Sequence, residues 1–155
     1  MADSILGLDL SRNMSLFTVP AAFVLCMIPN VWAAALASGA YDLANPRAMV
    51  ATAKADTRLD KPTQQKITRA KAASDNGFET LGYYAAAVVA ANVAGVAPRT
   101  LNLLSGAYVL SRALFVLAYV QLGADRRLAP VRSACWTLGS ILTMALYIKA
   151  GLRSM

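Results

Sequence analysis

Residues 15 to 38, SLFTVPAAFVLCMIPNVWAAALAS, hold no charged side chain, and a helix through them at 1.5 Å per residue spans the roughly 30 Å hydrocarbon core of a bilayer. Three further apolar runs follow, at about 76–96, 100–122 and 133–152. In hydrocarbon every backbone N–H and C=O must find a partner within the protein, so such runs are helices. The expected fold is all-α, an integral membrane four-helix bundle forming one four-span domain over 1–155. Pro20 and Pro29 are expected to kink the first span. A cleaved leader is not expected, because Asp3 and Asp9 precede that span where a basic segment would stand, and the apolar run is too long.

Composition supports the bilayer as solvent: 57% of the 155 residues are hydrophobic and only 15% charged, too apolar for an ordinary soluble domain. The net charge of +7 could suggest nucleic acid, but the cations cluster between the apolar runs. Arg47, Lys54, Arg58, Lys61, Lys66, Arg69 and Lys71 follow the first run, and Arg126, Arg127 and Arg132 follow the third. Outside these loops stand Arg12, Arg99, Lys149 and Arg153, while Arg112 lies inside the third run. Topology explains this better than DNA does, and no nucleic-acid partner is expected. By the bias of basic loops, both clusters are cytoplasmic and both termini lie across the membrane. With no histidine, the commonest general base and His-dependent metal sites are excluded; Cys26 and Cys135 lack metal or redox spacing and read as packing residues.

The second run raises the chemical question, because ITRAKAASDNGFETLGYYAAAVVAANVAGV carries polar groups straight into a span. On one helix face fall Arg69, Ala72, Asn76, Glu79 and Tyr83. These are either an interfacial cationic flank with polar helix-to-helix contacts, or an amide and a carboxylate offered to a polar ligand. In the third run Tyr108, Arg112, Phe115 and Tyr119 form a second face. Arg112 sits mid-span, where a guanidinium cannot reach water and needs an anionic partner. Glu79 and a ligand carboxylate are the two candidates. Arg126, Arg127 and Arg132 serve lipid headgroups on a plain reading. Small residues such as those of AAAVVAANVAG and LSGAYVLS let helices approach closely, and a chain this short has little interior for Glu79 and Arg112, which favours an oligomer.

The ordered pattern of Arg69, Ala70, Ala73, Asn76 and Glu79, then Arg112 with Tyr119, then RLAPVRS, together with NPR in the first loop, resembles the MAPEG family, the membrane-associated proteins in eicosanoid and glutathione metabolism. The resemblance covers nearly the whole chain. It implies a homotrimer of four-helix subunits in an internal membrane such as the endoplasmic reticulum, or in a bacterial inner membrane. Glutathione would bind between subunits near the cytoplasmic side, and a lipophilic small-molecule substrate would arrive from the bilayer. By position, Asn76, Glu79, Arg112 and Tyr119 match glutathione contacts, and Arg69, with Lys71, stands one turn below as a substitute contact for the basic residue that Ala72 replaces. Arg127 or Arg132 matches the arginine associated with the thiol. The activity implied is conjugation of glutathione to a lipophilic electrophile or reduction of a lipid hydroperoxide. Ala37, Ala72 and Thr80 stand where several catalytic members carry basic residues or a tyrosine. They leave two alternatives open: a non-catalytic lipid- or partner-binding scaffold of the same fold, and a membrane protein unrelated to glutathione in which Arg112 and Glu79 only join helices.

Overall fold

The computed structural model describes residues 11–155 and, ahead of them, the backbone of a short antiparallel pair, Ser4–Ile5 with Leu8–Asp9; the expectation resting on the side chains of Asp3 and Asp9 lies outside the described residues. The rest is helical: α1 (Thr18–Ala37), the short α2 (Met49–Ala55), α3 (Lys61–Val93), α4 (Pro98–Leu117) and α5 (Ala129–Ser154). Among the described residues three helical stretches are long and apolar enough to cross a membrane: Ser15–Ala40, Pro98–Leu122 and Arg126–Ser154.

The helix that carries the second expected span is longer than that span: α3 begins at Lys61 rather than near 76 and closes at Val93, and taken by length and composition it is not among the three stretches apolar enough to cross. Its start follows from local chemistry: Asp60 caps it by accepting from the Thr63 amide at 3.0 Å, and Pro62 stands in the first turn, where its missing N–H costs nothing. The stretch expected to be a loop is therefore mostly helix, because Gln64, Ile67, Ala70 and Ala73 bury one face while the basic residues take the other. At 33 residues, α3 is about 50 Å long, well beyond a bilayer core.

Its end is equally specified. The Val96 amide reaches the Ala91 carbonyl at 3.1 Å and the Gly95 amide reaches Asn92 at 3.0 Å, the paired bonds of a Schellman cap. Gly95 adopts φ +71°, which a side chain would disfavour. The chain then enters α4 directly at Pro98.

α1 packs along α3, and α5 lies against both α4 and α3. Small residues make the first contact close: a Cβ added at Gly77 would sit 2.7 Å from the Cys26 sulfur. The Ser74 hydroxyl also donates to the Cys26 carbonyl at 2.8 Å. Pro29 lies inside α1, whereas Pro20 falls in its first turn and breaks no helical hydrogen bond there, so no kink at Pro20 is required. Two apolar clusters result. One gathers Tyr84, Val88, Leu101, Tyr108 and Leu146; the other gathers Ala33, Met49, Ile67, Ala70, Phe115 and Val120. Along α3 and α4 the seam between them falls at Asn76 and Arg112.

Candidate functional site

The helical face Tyr108, Arg112, Phe115 on α4 is buried, with Arg112 only 5% exposed. Its guanidinium is oriented from two sides. Nη2 donates to the side-chain Oδ1 of Asn76 on α3 at 2.9 Å, and the plane lies 4.3 Å from the Phe115 ring centroid on its own helix, a cation–π contact strengthened by the dry surroundings. Gly139 on α5 permits this packing, since a Cβ there would come within 3.6 Å of Arg112 Cδ and 3.1 Å of the Ser111 hydroxyl.

Glu79 is not the partner of Arg112 within the chain. It is exposed, and the two side-chain ion pairs among the described residues are Arg58 with Asp56 and Lys71 with Asp75. Glu79 lies one turn beyond Asn76 and about 60° round the same face; Asn76 meets Arg112 at the contact with α4, while Glu79 falls on the open edge of that face. The guanidinium is thus buried with a neutral amide, and its charge has no carboxylate from its own described chain.

Beside this pair opens a cleft of about 350 Å³ bordered by Asn76, Phe115, Tyr119, Arg132, Ser133, Trp136 and Thr137. Tyr119 is its hinge. Its ring meets Phe115 edge-on at 5.5 Å, and the Arg132 guanidinium stacks over it at 4.5 Å. Tyr119 is presented by a π-helical turn, Ala118–Leu122, at the end of α4, a wider winding often found at functional sites. Gly123 follows because nothing larger fits: a Cβ would lie 2.3 Å from the Tyr119 carbonyl and 2.7 Å from Arg69 Cδ.

The remaining sequence candidates lie apart. Arg69 donates through Nε to the Val120 carbonyl at 3.4 Å and borders a separate cleft of about 210 Å³ with Lys66 and Gln121. Arg127 is exposed in the 3-10 turn Arg126–Leu128, where its amide bonds to Asp125 at 2.8 Å. The structure thus brings Asn76, Arg112, Tyr119 and Arg132 together, and leaves Glu79, Arg69 and Arg127 outside that group. Sequence reasoning passed over Ser133, Trp136 and Thr137. The available signal was that Trp136 lies four residues from Arg132 and Thr137 four from Ser133, since i and i+4 share a helix face.

Chemically, the cleft offers one lining cation, Arg132, with an amide and a phenol at the edge of an aromatic wall formed by Phe115 and Trp136, and the buried Arg112 lies behind Asn76. Such a set suits an anionic, hydrogen-bonding ligand met by an apolar one. Neither a curated protein nor a solved structure matches the chain. The model of the MAPEG family matches residues 16–152, nearly the whole length and every element of the site, and the chain belongs to that family.

Proposed function

We propose that this protein is a glutathione-dependent membrane enzyme that joins glutathione to a lipophilic electrophile or reduces a lipid hydroperoxide. The supporting observation is the buried Arg112, which bonds to Asn76 and has no carboxylate partner among the described residues. An ionised group held away from water requires a counter-charge, and a carboxylate of the tripeptide supplies one. Asn76 and Tyr119 orient the peptide by hydrogen bonds. Glu79, exposed on α3, takes the ligand's amino group once a neighbouring subunit closes the site, and Arg69 adds positive charge one cleft away. All four spans, α3 included, lie in the bilayer, and the subunit works as a homotrimer.

Of the two loop arginines, the reading assigns thiol activation to Arg132. It is held on the Tyr119 ring at the cleft, while Arg127 is exposed. A cysteine thiol has a pKa of about 8.5, so only a few per cent is thiolate near neutrality, and a fixed cation raises that share. In conjugation the thiolate sulfur forms a bond to the electrophilic carbon; that carbon either expels a leaving group with its electron pair or, in an addition, passes a bonding pair to a neighbouring carbon or oxygen, which takes up the proton the thiol gave up. In the peroxidase reaction two glutathione thiols give up two electrons and become a disulfide, and the hydroperoxide becomes an alcohol and water.

Calorimetry with glutathione on the detergent-purified protein tests the reading. The parent should bind, and Arg112→Leu should weaken binding by about tenfold to more than a hundredfold, the equivalent of losing a charge-assisted contact of about 1.5 to 3 kcal/mol. Binding without turnover on any lipophilic electrophile or hydroperoxide would favour the scaffold reading. No binding would remove glutathione from the account.

A further inference from the structure

We propose that the cleft at the end of the molecule remote from the Arg126–Arg132 loop is a binding site for the phosphate of an anionic phospholipid. This cleft, of about 400 Å³, opens where the α3–α4 turn meets the last two turns of α5. Lys149 and Arg153 form one wall, with the Thr100 hydroxyl opposite, and Val96, Ala97 and Leu152 give it an apolar floor.

Three observations converge on an anion that carries acyl chains. First, Lys149 and Arg153 are four residues apart, so two like charges share one helix face, an arrangement that is unfavourable until an anion lies between them. Arg153 stands in the last turn of α5, where the helix carbonyls favour a cation; Lys149, a turn earlier, has no such support. Second, neither residue has an ion-pair partner among the described residues. The acidic residues within 11–155 are Asp42, Asp56, Asp60, Asp75, Glu79 and Asp125. The nearest along α3, Glu79, is about 20 Å down the helix from the cleft. Arg99 and the positive end of the α4 dipole add to the same field. Third, Val96, Ala97 and Leu152 border the cleft, and Leu152 and Val93, two residues before Gly95, are exposed apolar side chains, which face the bilayer in a spanning chain. A soluble anion uses only the cations, whereas a phospholipid uses cations and floor together.

The site is independent of the glutathione reading, since none of its residues borders the Arg112 cleft. The test titrates the detergent-purified full chain with phosphatidylglycerol, with phosphatidylcholine and with inorganic phosphate, following the thermal midpoint. Phosphatidylglycerol should raise it saturably and phosphatidylcholine should not. Lys149→Gln with Arg153→Gln should weaken the phosphatidylglycerol response by about tenfold or more with helix content unchanged by circular dichroism. Arg47→Gln with Lys54→Gln, which removes the same charge at the opposite end, should leave it intact. A response equal to the parent's in the first double variant overturns the site. An equal loss in both variants overturns it too, because bulk charge would then suffice. A saturable response to inorganic phosphate through Lys149 and Arg153, with none to phosphatidylglycerol, would place the anion in solution and overturn the lipid assignment.

Discussion

Arg112 and Arg132 are both cations held against aromatic rings, yet burial separates their roles. Arg112 is enclosed and bonded to Asn76; Arg132 is half-buried, stacked on Tyr119, and keeps a path to the open cleft. A group that tunes a thiol must face it without being used up by packing. Arg132→Ala is therefore expected to raise the apparent pKa of enzyme-bound glutathione towards its free value of about 8.5 and to lower turnover at neutral pH while binding changes little. The sign follows from the charge: removing a nearby cation disfavours the thiolate, so the activity profile should move to higher pH. Arg127→Ala should leave both unchanged. Thiolate absorbance against pH in the two variants checks this, and the opposite ranking would transfer the role to Arg127. At this scale the sequence showed which α4 residues share a face, because 3.6 residues per turn fixes that. It did not show whether Asn76 or Glu79 meets Arg112, because that depends on how α3 is rotated against α4, which no single-helix pattern contains.

At the level of elements, close approach is specified by residues that look unremarkable in sequence. Gly77 sits in α3 against Cys26 of α1. Replacing it with Ala should gain up to about 1 kcal/mol in helix propensity, but it forces a methyl group to 2.7 Å from the sulfur and 3.2 Å from the Cys26 Cβ, and overpacking of this kind costs about 1 to 3 kcal/mol. Packing should win, lowering the denaturation midpoint in detergent, and Cys26→Ala combined with Gly77→Ala should restore part of the loss. A stabilised single variant would show that the two helices yield more easily than their separation implies. The start of α3 is held differently. Hydrogen bonds from Thr63 hold the Asp60 carboxyl below its ordinary pKa, so its cap is fully present above the unfolded carboxylate value and is lost as pH falls through the lower folded one. Hydrogen exchange in the first turn should speed up in acid for the parent but not for Asp60→Asn, which caps without titrating. The four long helices and their order were legible from apolar runs, as was the turn at Ala97 and Pro98. The extension of α3 to Lys61 was not, because its buried face, Gln64, Ile67, Ala70, Ala73 and Ser74, is mostly small or polar among many charges and carries little hydropathy signal. Nor was the π turn around Tyr119, which no hydropathy or residue-type pattern marks.

For the whole molecule, the outward surface of α3 differs from those of its neighbours. α1 and α5 present large apolar side chains outward, among them Phe17, Val24, Ile28 and Val31 on the first side and Leu138, Ile141 and Ile148 on the second. α3 also exposes Phe78, Tyr83, Val89 and Val93, but Asp75, Glu79, Gly82 and Ala86 form a line of acidic and small residues along it. A carboxylate facing lipid near mid-membrane costs about 2.5 to 3.5 kcal/mol even on the mildest scale, and small residues in register are where membrane helices pack together. This stripe is therefore expected to be the contact between subunits, which would cover Glu79 and bring it to a neighbour's Arg112 cleft. Chemical cross-linking in native membranes should give a ladder ending at three copies. Ala86→Trp, placed on the stripe, should abolish the trimer and weaken glutathione binding with it, whereas Val24→Trp on the lipid-facing side of α1 should do neither. A trimer untouched by Ala86→Trp would move the interface to another helix. A monomer that binds glutathione at the parent's affinity would show that one subunit completes the site, and Glu79 would then have no part in it.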